Sequence, residues 1–343
     1  MLVASAAMSA FAQSSTNGEP VPAWTNLVVG KGWGTNTHST SGLVTNLIAA
    51  PHDETAQAEL RRVLADDNDA QAEADRLLQE NRRYRAQGSG LTEEELQLRL
   101  RARFIAVRGA YQQFLSRHPA NVPALLAYGS LLDDLGEDTA AAEQWEKARA
   151  LAPENPATWN NLANHYAGSG NELKAFSYYE KAIALATNSV TYQRNLGSAI
   201  INLRSNAMAY YSLSEPAVLD KGLQLLRIAE QAQPDDFALA TEIAQTLYAI
   251  RPPRPGELQA AWRRALELAG DDVEREGVGL HLARVQLLAG KPEVARQILG
   301  TVTNTVFAPL RRELEAQLGK QSPAGTTNAT APTPAGTGSK HAP

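Results

Sequence analysis

The sequence has 343 residues, of which 43% are hydrophobic, and this is enough apolar material for a sizeable folded core. Its formal net charge of −5 argues against a protein that binds nucleic acid by neutralising phosphates, because such binding requires a basic face. The chain has no cysteine, which excludes disulfides, thiolate nucleophiles and cysteine-based metal sites.

The first residues are small and apolar, and the sequence AFA at positions 10–12 fits the cleavage site of a signal peptide. The basic leader of such a peptide is missing. We predict a signal peptide over 1–12 and a periplasmic or secreted protein; the alternative is an ordinary apolar N-terminus on a cytoplasmic protein. Residues 13–52 are rich in Ser, Thr, Gly and Asn, carry Trp24 and Trp33, and show no helical period, which predicts a weakly ordered arm.

A long helical hairpin is predicted over 53–119. From 53 to 87, apolar side chains recur every seven residues on a charged background, as in an amphipathic helix. The GSG sequence at 88–90 ends this helix, and Thr92 with Glu95 forms the capping-box signature of a second one. We expect the two helices to pack against each other in antiparallel orientation; a coiled-coil dimer is the alternative.

Beyond residue 119 the sequence repeats with a period of 34 residues. In the unit 156–189, apolar residues at i, i+3, i+4 and i+7 mark one face of a first helix, a glycine-containing turn follows, and alanines with aromatic residues mark a second helix. The period therefore predicts stacked helical hairpins. The residues that recur are Leu125 and Trp159, Tyr128 and Leu162, Gly129 and Ala163, Gly136 and Gly170, Ala141 and Ala175, Trp145 and Tyr179, and Ala148 and Ala182.

This pattern resembles the tetratricopeptide-repeat family, whose motif is W-x2-L-G-x2-Y…A-x3-F…A…P. The resemblance implies an all-α fold: a right-handed superhelix of helix-turn-helix repeats, a TPR-like α-solenoid, preceded by the long hairpin. Residues 319–343 are rich in Pro, Gly, Ala and Thr and show no period, which predicts a disordered tail. The predicted units are 122–155, 156–189, 190–236 with an insertion around Tyr210 and Tyr211, 237–272, and 276–318 as a degenerate repeat with a capping helix.

The sequence offers no catalytic or metal-binding candidate. No two of the six histidines have the i, i+4 spacing of a helical metal pair, and the paired aspartates lie near predicted helix ends, where acidic residues act as caps. His165 occupies a position that points towards packing neighbours in the family, so we expect a structural role for it. We predict a non-enzymatic protein without cofactor or metal, without nucleic-acid partner, and without a membrane span, since no later apolar run approaches about 20 residues.

The resemblance also implies that the first helices line a concave groove that binds a peptide or protein segment. Asn161 and Asn195 both stand at the sixth position of their repeats, like the asparagine ladder with which some family members bind peptide backbone. A carboxamide can accept from a backbone N–H and donate to a C=O. The ladder is short, since Ala127 and Glu242 occupy the flanking positions, and a consensus asparagine without a ligand is the alternative. The other expected groove residues are Leu126, Ser130, Asp133, Asn160, Asn164 and Arg194.

These groove residues do not match the Lys/Asn/Arg clamp with which chaperone-binding relatives hold a C-terminal carboxylate. The sequence thus predicts a non-catalytic interaction scaffold that binds a protein or peptide segment in the groove. The alternative is a structural or oligomerising component of a cell-envelope assembly, such as a homo-oligomer, with contacts through the hairpin and the insertion in the third repeat.

Overall fold

The computed structural model describes residues 54–86 and 88–321, and all regular structure within these ranges is helical. The predicted all-α fold is confirmed. None of the helices in these ranges is both long and apolar enough to cross a bilayer. The predicted signal peptide and arm lie outside the described residues, as does the predicted tail after residue 321.

The residue contacts divide the chain into two compact units, Met1–Arg254 and Pro255–Pro343. This boundary falls inside the predicted fourth repeat, 237–272. The helices of the first unit are α1 (Glu54–Ala86), α2 (Glu93–Arg117), α3 (Val122–Asp134), α4 (Asp138–Leu151), α5 (Pro156–Gly168), α6 (Glu172–Leu185), α7 (Val190–Asn202), α8 (Arg204–Tyr211), α9 (Glu215–Ala232) and α10 (Phe237–Ala249).

Helices α1 and α2 form an antiparallel hairpin that is fixed at both ends. At the turn, the Asn81 carboxamide accepts from the Leu91 N–H at 2.7 Å and donates to the Leu91 carbonyl at 3.3 Å. At the other end, Arg117 pairs with Glu59. The Thr92–Glu95 capping box predicted for the start of α2 is present in both directions.

A buried polar contact links α1 to α2 near the middle of the hairpin. The Asp67 side chain of α1 is buried and accepts from the Tyr111 hydroxyl of α2 at 2.7 Å and from the Gln71 amide at 3.2 Å. Burial raises the pKa of Asp67, and the two hydrogen bonds oppose this effect. The bond to Tyr111 satisfies a group that would be costly to bury alone, and it fixes the register of the two helices.

The following helices pack in pairs, α3 with α4, α5 with α6, and α7 with α9. Side-chain caps explain where the first helices begin, because a polar oxygen accepts a backbone N–H that would otherwise lack a partner. Gly136 and Gly170 end first helices with φ angles of 75° and 82°, which favour glycine. The capping residues are Asn121, Asn155, Ser189 and Asp236.

Two glycine positions allow close helix packing. A Cβ atom on Gly129 would lie 2.6 Å from Cδ1 of Trp145, so the indole ring packs directly on the α3 backbone. In the third pair, Gly197 of α7 and Gly222 of α9 face each other, and a Cβ on Gly222 would lie 2.7 Å from the Ile201 side chain. Both contacts follow the small-residue positions of the repeat pattern.

The insertion in the third repeat forms α8 and lengthens α9. Tyr210 and Tyr211 are half-buried, with ring centroids 5.3 and 5.8 Å from that of Phe176 on α6. The Tyr210 hydroxyl donates to Glu180 at 2.9 Å. The two tyrosines pack on the preceding repeat, which removes much of their ring surface from water. An intermolecular contact through this insertion, the alternative drawn from the sequence, stays a prediction.

The second unit contains α11 (Pro255–Leu268), α12 (Asp272–Leu288), α13 (Pro292–Gly300), a 3-10 turn (Thr305–Phe307) and α14 (Ala308–Gln321). In its core, the buried rings of Trp262 and His281 stack with centroids 3.9 Å apart and planes inclined by 4°. Burial lowers the pKa of His281 to about 3, so the imidazole is neutral. Helix α14 includes the first three residues of the predicted tail.

Candidate functional site

Four of the eight predicted groove residues lie in the protein interior. Their side chains are buried in contacts between helices, and a ligand could contact them only after these contacts rearrange. They are Leu126 (1% exposed), Ser130 (6%), Asn160 (3%) and Asn161 (7%).

The burial of Asn161 on α5 has a clear cause, which is Trp145 of α4. In the carboxamide orientation that satisfies its neighbours, Asn161 accepts from the indole N–H of Trp145 at 3.2 Å and donates to the Ala157 carbonyl at 3.3 Å. The same indole N–H lies 3.2 Å from the Leu126 carbonyl, and the Ser130 hydroxyl bonds to that carbonyl as well. Asn161 is therefore part of the contact between the first two repeats.

Asn195, at the equivalent position of α7, lies in a more open environment and is half-buried. Its amide donates to the carboxamide oxygen of Asn160 at 2.9 Å, which links α7 to α5. The Asn195 oxygen accepts no hydrogen bond from the described part of the chain. Asn160 thus fixes the orientation of Asn195 and leaves it a free acceptor.

Asn164 lies one helical turn after Asn160 on α5. Its oxygen is the group held by an internal hydrogen bond, whereas in Asn195 it is the amide. Its oxygen accepts from the Tyr179 hydroxyl at 2.6 Å, whereas its amide group makes no hydrogen bond within residues 54–86 and 88–321. Tyr179 is buried, and burial raises its pKa, so the hydroxyl remains a donor. Asn164 therefore offers donors, while Asn195 offers an acceptor.

Arg194 connects α7 to α10. Its guanidinium lies 2.6 Å from the Asp236 carboxylate and 3.7 Å from that of Glu242. Burial raises the pKa of Glu242, although the hydrogen bond from the Ser198 hydroxyl and the charge of Arg194 oppose this. The charge of Arg194 is therefore used within the protein and is not available to hold a ligand carboxylate.

Polar residues of α5, α7 and α10 form the set that we call the polar strip. It consists of Asn160, Asn164, Arg194, Asn195, Ser198, Asp236 and Glu242. Asn160 is its buried member, and all members except Asn164, which bonds to Tyr179, are linked by the contacts described above. Ser198, Asp236 and Glu242 were not among the site residues expected from the sequence. Ser198 stands four residues after Arg194 on α7, and this helical spacing could have identified it. Asp236 and Glu242 join the strip through contacts between helices, for which the sequence carries no local signal.

Asp133, the last of the predicted groove residues, is half-buried at the C-terminal end of α3. Its neighbour Asp134 has a pKa raised to about 7, mainly by burial and further by the carboxylates of Asp133 and Asp67. Within the described residues, no group of three or more histidines and carboxylates is arranged to hold a metal ion. His165 packs edge-on against Tyr166, with ring centroids 5.3 Å apart.

Comparisons with known proteins support the fold. No family model matches the sequence. A 100-residue part, 29% of the chain, is 28% identical to the BBSome complex member BBS4 of Bos taurus, and the match spans only 19% of that protein. The chain is also similar to the crystal structure of PilW, described as a type IV pilus biogenesis factor, with 16% identity and a TM-score of 0.50 over 63% of this chain and 91% of PilW.

The structure of pilF from Pseudomonas aeruginosa gives the same values, with 16% identity, a TM-score of 0.50, and coverage of 63% of this chain and 91% of that one. At such low identity the likeness concerns the backbone alone. Both solved structures are tetratricopeptide-repeat proteins. This chain therefore has the tetratricopeptide-repeat fold.

Proposed function

We propose that this protein is a non-catalytic interaction scaffold that binds an extended peptide segment along the polar strip. One observation carries the proposal: two carboxamides on neighbouring first helices are each fixed by an internal hydrogen bond and each keep complementary groups free. Asn164 keeps its amide donors, and Asn195 keeps its acceptor oxygen. A peptide backbone presents C=O and N–H groups, which are the partners that the Asn164 donors and the Asn195 acceptor require.

The fixed orientation matters for the expected affinity. A side chain that is already ordered loses little conformational entropy when a ligand binds, so more of each hydrogen bond contributes to affinity. Each such bond contributes about 1 kcal/mol net. Two of them are worth about 2 kcal/mol, or roughly thirtyfold in affinity, so further contacts from ligand side chains are needed for tight binding.

The polar strip can be tested with a probe of defined chemistry, an array of random 12-residue synthetic peptides attached by their C termini. The double variant Asn164→Ala/Asn195→Ala should bind the peptides selected by the wild type about thirtyfold more weakly, measured by fluorescence anisotropy. The matched control is Asn188→Ala/Asn202→Ala, which removes two exposed asparagines outside the strip. Equal binding by both double variants, or no selected peptide at all, would overturn the proposal.

A second candidate function, self-association through the hairpin, is favoured by a separate observation. Leu98 and Ile105 stand seven residues apart on the outer face of α2, and they are 70% and 68% exposed. Large apolar side chains this exposed on one helix face are common at protein contacts. Deleting α1 would be a poor test, since it would uncover the buried side chains of α2.

Point substitutions test self-association more directly. Leu98→Glu with Ile105→Glu should lower the mass measured by light scattering if the wild type is oligomeric, whereas the exposed Gln113→Glu on the same helix should leave it unchanged. A monomeric wild type would end this candidate.

We also propose that the chain is exported to the periplasm or secreted, on the basis of the small apolar residues before the AFA sequence at 10–12. Intact-mass measurement of the protein from an exporting bacterial host should then give a mature chain that begins at Gln13. A chain that retains residues 1–12 would contradict export by this route.

A further inference from the structure

Glu242 holds, on α10, the place that Asn195 holds on α7. Asn195 is the sixth residue of α7, and Glu242 is the sixth residue of α10. The two helices are joined by the contacts of Arg194 and Ser198 with Glu242. The polar strip thus continues from a neutral carboxamide on one helix to a carboxylate on the next.

The charges around Glu242 are not balanced. One guanidinium, that of Arg194, serves two carboxylates, and it lies 2.6 Å from Asp236 but 3.7 Å from Glu242. Asp236 is also stabilised through its second oxygen, which accepts from the Leu239 N–H at 2.8 Å as the cap of α10. Glu242 is therefore the weaker partner of Arg194, and the cluster carries a net negative charge when both acids are ionised.

Glu242 is also accessible, since about a quarter of its side chain, 27%, is exposed. Its pKa is raised mainly by burial, which means that the carboxylate has lost water without gaining an equivalent cation. A ligand cation placed here would interact with a partly desolvated charge, where electrostatic attraction is stronger than on an open surface.

We propose that the peptide segment bound by the polar strip carries a cation that pairs with Glu242, either a Lys or Arg side chain or a free α-amino group. This inference rests on the proposed function, because Asn164 and Asn195 must hold the segment for its cation to reach α10. It assigns to Glu242 a role in selecting ligands, because a segment without a cation leaves this carboxylate with only the shared positive charge of Arg194.

Four sets of synthetic 12-residue peptides test the inference and separate the two sources of charge. The first set is random and contains Lys and Arg, the second has these residues replaced by Gln, and the third and fourth are the N-acetylated copies of the first two. The wild type should bind cationic peptides about tenfold more tightly than their uncharged counterparts. Loss of this advantage on acetylation would identify an α-amino group, and its loss on replacement by Gln would identify a side chain.

The variant Glu242→Gln should bind the charged and uncharged sets equally, because the amide keeps an acceptor for Ser198 but lacks the charge. Glu154→Gln, at an exposed glutamate in the loop before α5, is the matched control and should keep the preference. Circular dichroism and the urea midpoint of each variant show whether it is folded.

The outcomes distinguish the two proposals. If the Asn164→Ala/Asn195→Ala variant loses binding while the wild type binds charged and uncharged peptides equally, the assignment of Glu242 is overturned and the peptide-binding function stands. The assignment is also overturned if Glu242→Gln keeps the preference for cations. If no peptide set binds, or if binding is insensitive to the two asparagines, the proposed function itself fails.

Discussion

Two equivalent aromatic residues of the first two repeats make different contacts, although the sequence pattern is the same: one reaches an asparagine of the next repeat and the other an asparagine of its own repeat. Trp145 and Tyr179 are equivalent residues, 34 positions apart, on α4 and α6. The indole of Trp145 reaches Asn161 and buries it, whereas the Tyr179 hydroxyl bonds to Asn164 and leaves part of that carboxamide accessible. A neighbouring aromatic residue thus decides whether a repeat asparagine is structural or available to a ligand.

The largest expected loss of stability comes from removing the Trp145 indole, which contacts Asn161. Trp145 is fully buried on Gly129, so Trp145→Ala should leave a large cavity and lower the free energy of unfolding by about 3–5 kcal/mol. Urea unfolding followed by circular dichroism measures this loss. The control is Trp159→Ala, which removes a half-buried indole and should cost clearly less. Equal losses would show that Trp145 is not the centre of this contact.

A smaller effect on stability is expected from the ionisation of Asp134 at the C-terminal end of α3, in the first repeat. The pKa of Asp134 is about 7 in the folded protein, above its ordinary value of 3.8, so the folded state holds a proton that the unfolded chain releases. The free energy of unfolding should therefore decrease as pH rises from about 4 to about 7, by an amount on the order of 2 kcal/mol, since water still reaches part of this side chain.

This prediction is measured with urea midpoints at several pH values for the wild type and for Asp134→Asn. The variant should lose the decrease that is due to Asp134 and become more stable than the wild type at pH 8. Parallel curves for the two proteins would contradict the raised pKa. No similar stabilisation is expected from Asp138→Asn, which changes an exposed acid in the following helix.

The two ladder asparagines give the sharpest test of the comparison. Asn161→Ala should lower the free energy of unfolding by about 1–2 kcal/mol, because it leaves the buried indole N–H of Trp145 with one partner fewer. Asn195→Ala should cost less, about 1 kcal/mol or below, because removing the half-buried Asn195 side chain leaves room for a water beside the Asn160 oxygen, but it should weaken peptide binding. Similar stability losses for both variants would show that the two positions do not differ as described.

Much of the fold could be predicted from the sequence because its determinants are local. The 34-residue period, the turn glycines and the Thr92–Glu95 capping box all act within a few residues of where they stand. The boundary between the two compact units, after Arg254, was not anticipated, because it depends on the distribution of contacts rather than on any local signal.

The candidate site was harder to predict because it depends on contacts between helices. Asn161 and Asn195 have the same position in their repeats, and nothing local indicates that only Asn161 is covered by an indole. From the sequence, Glu242 is only the residue that interrupts the asparagine ladder. Its contacts with Arg194 and Ser198, 48 and 44 residues away, give it a role that the spacing within one repeat could not reveal.

The smallest expected effect on stability concerns the hydrogen bond that orients Asn164 within the second repeat. Tyr179→Phe removes the hydroxyl that fixes Asn164, and the half-buried Asn164 oxygen can turn to water, so the free energy of unfolding should fall by less than about 1 kcal/mol. Peptide binding should nevertheless weaken severalfold, since Asn164 must then be ordered by the ligand. Tyr210→Phe, which breaks the bond to Glu180 away from the polar strip, should leave binding unchanged. Equal binding by the wild type and Tyr179→Phe would mean that the fixed orientation of Asn164 contributes nothing to recognition.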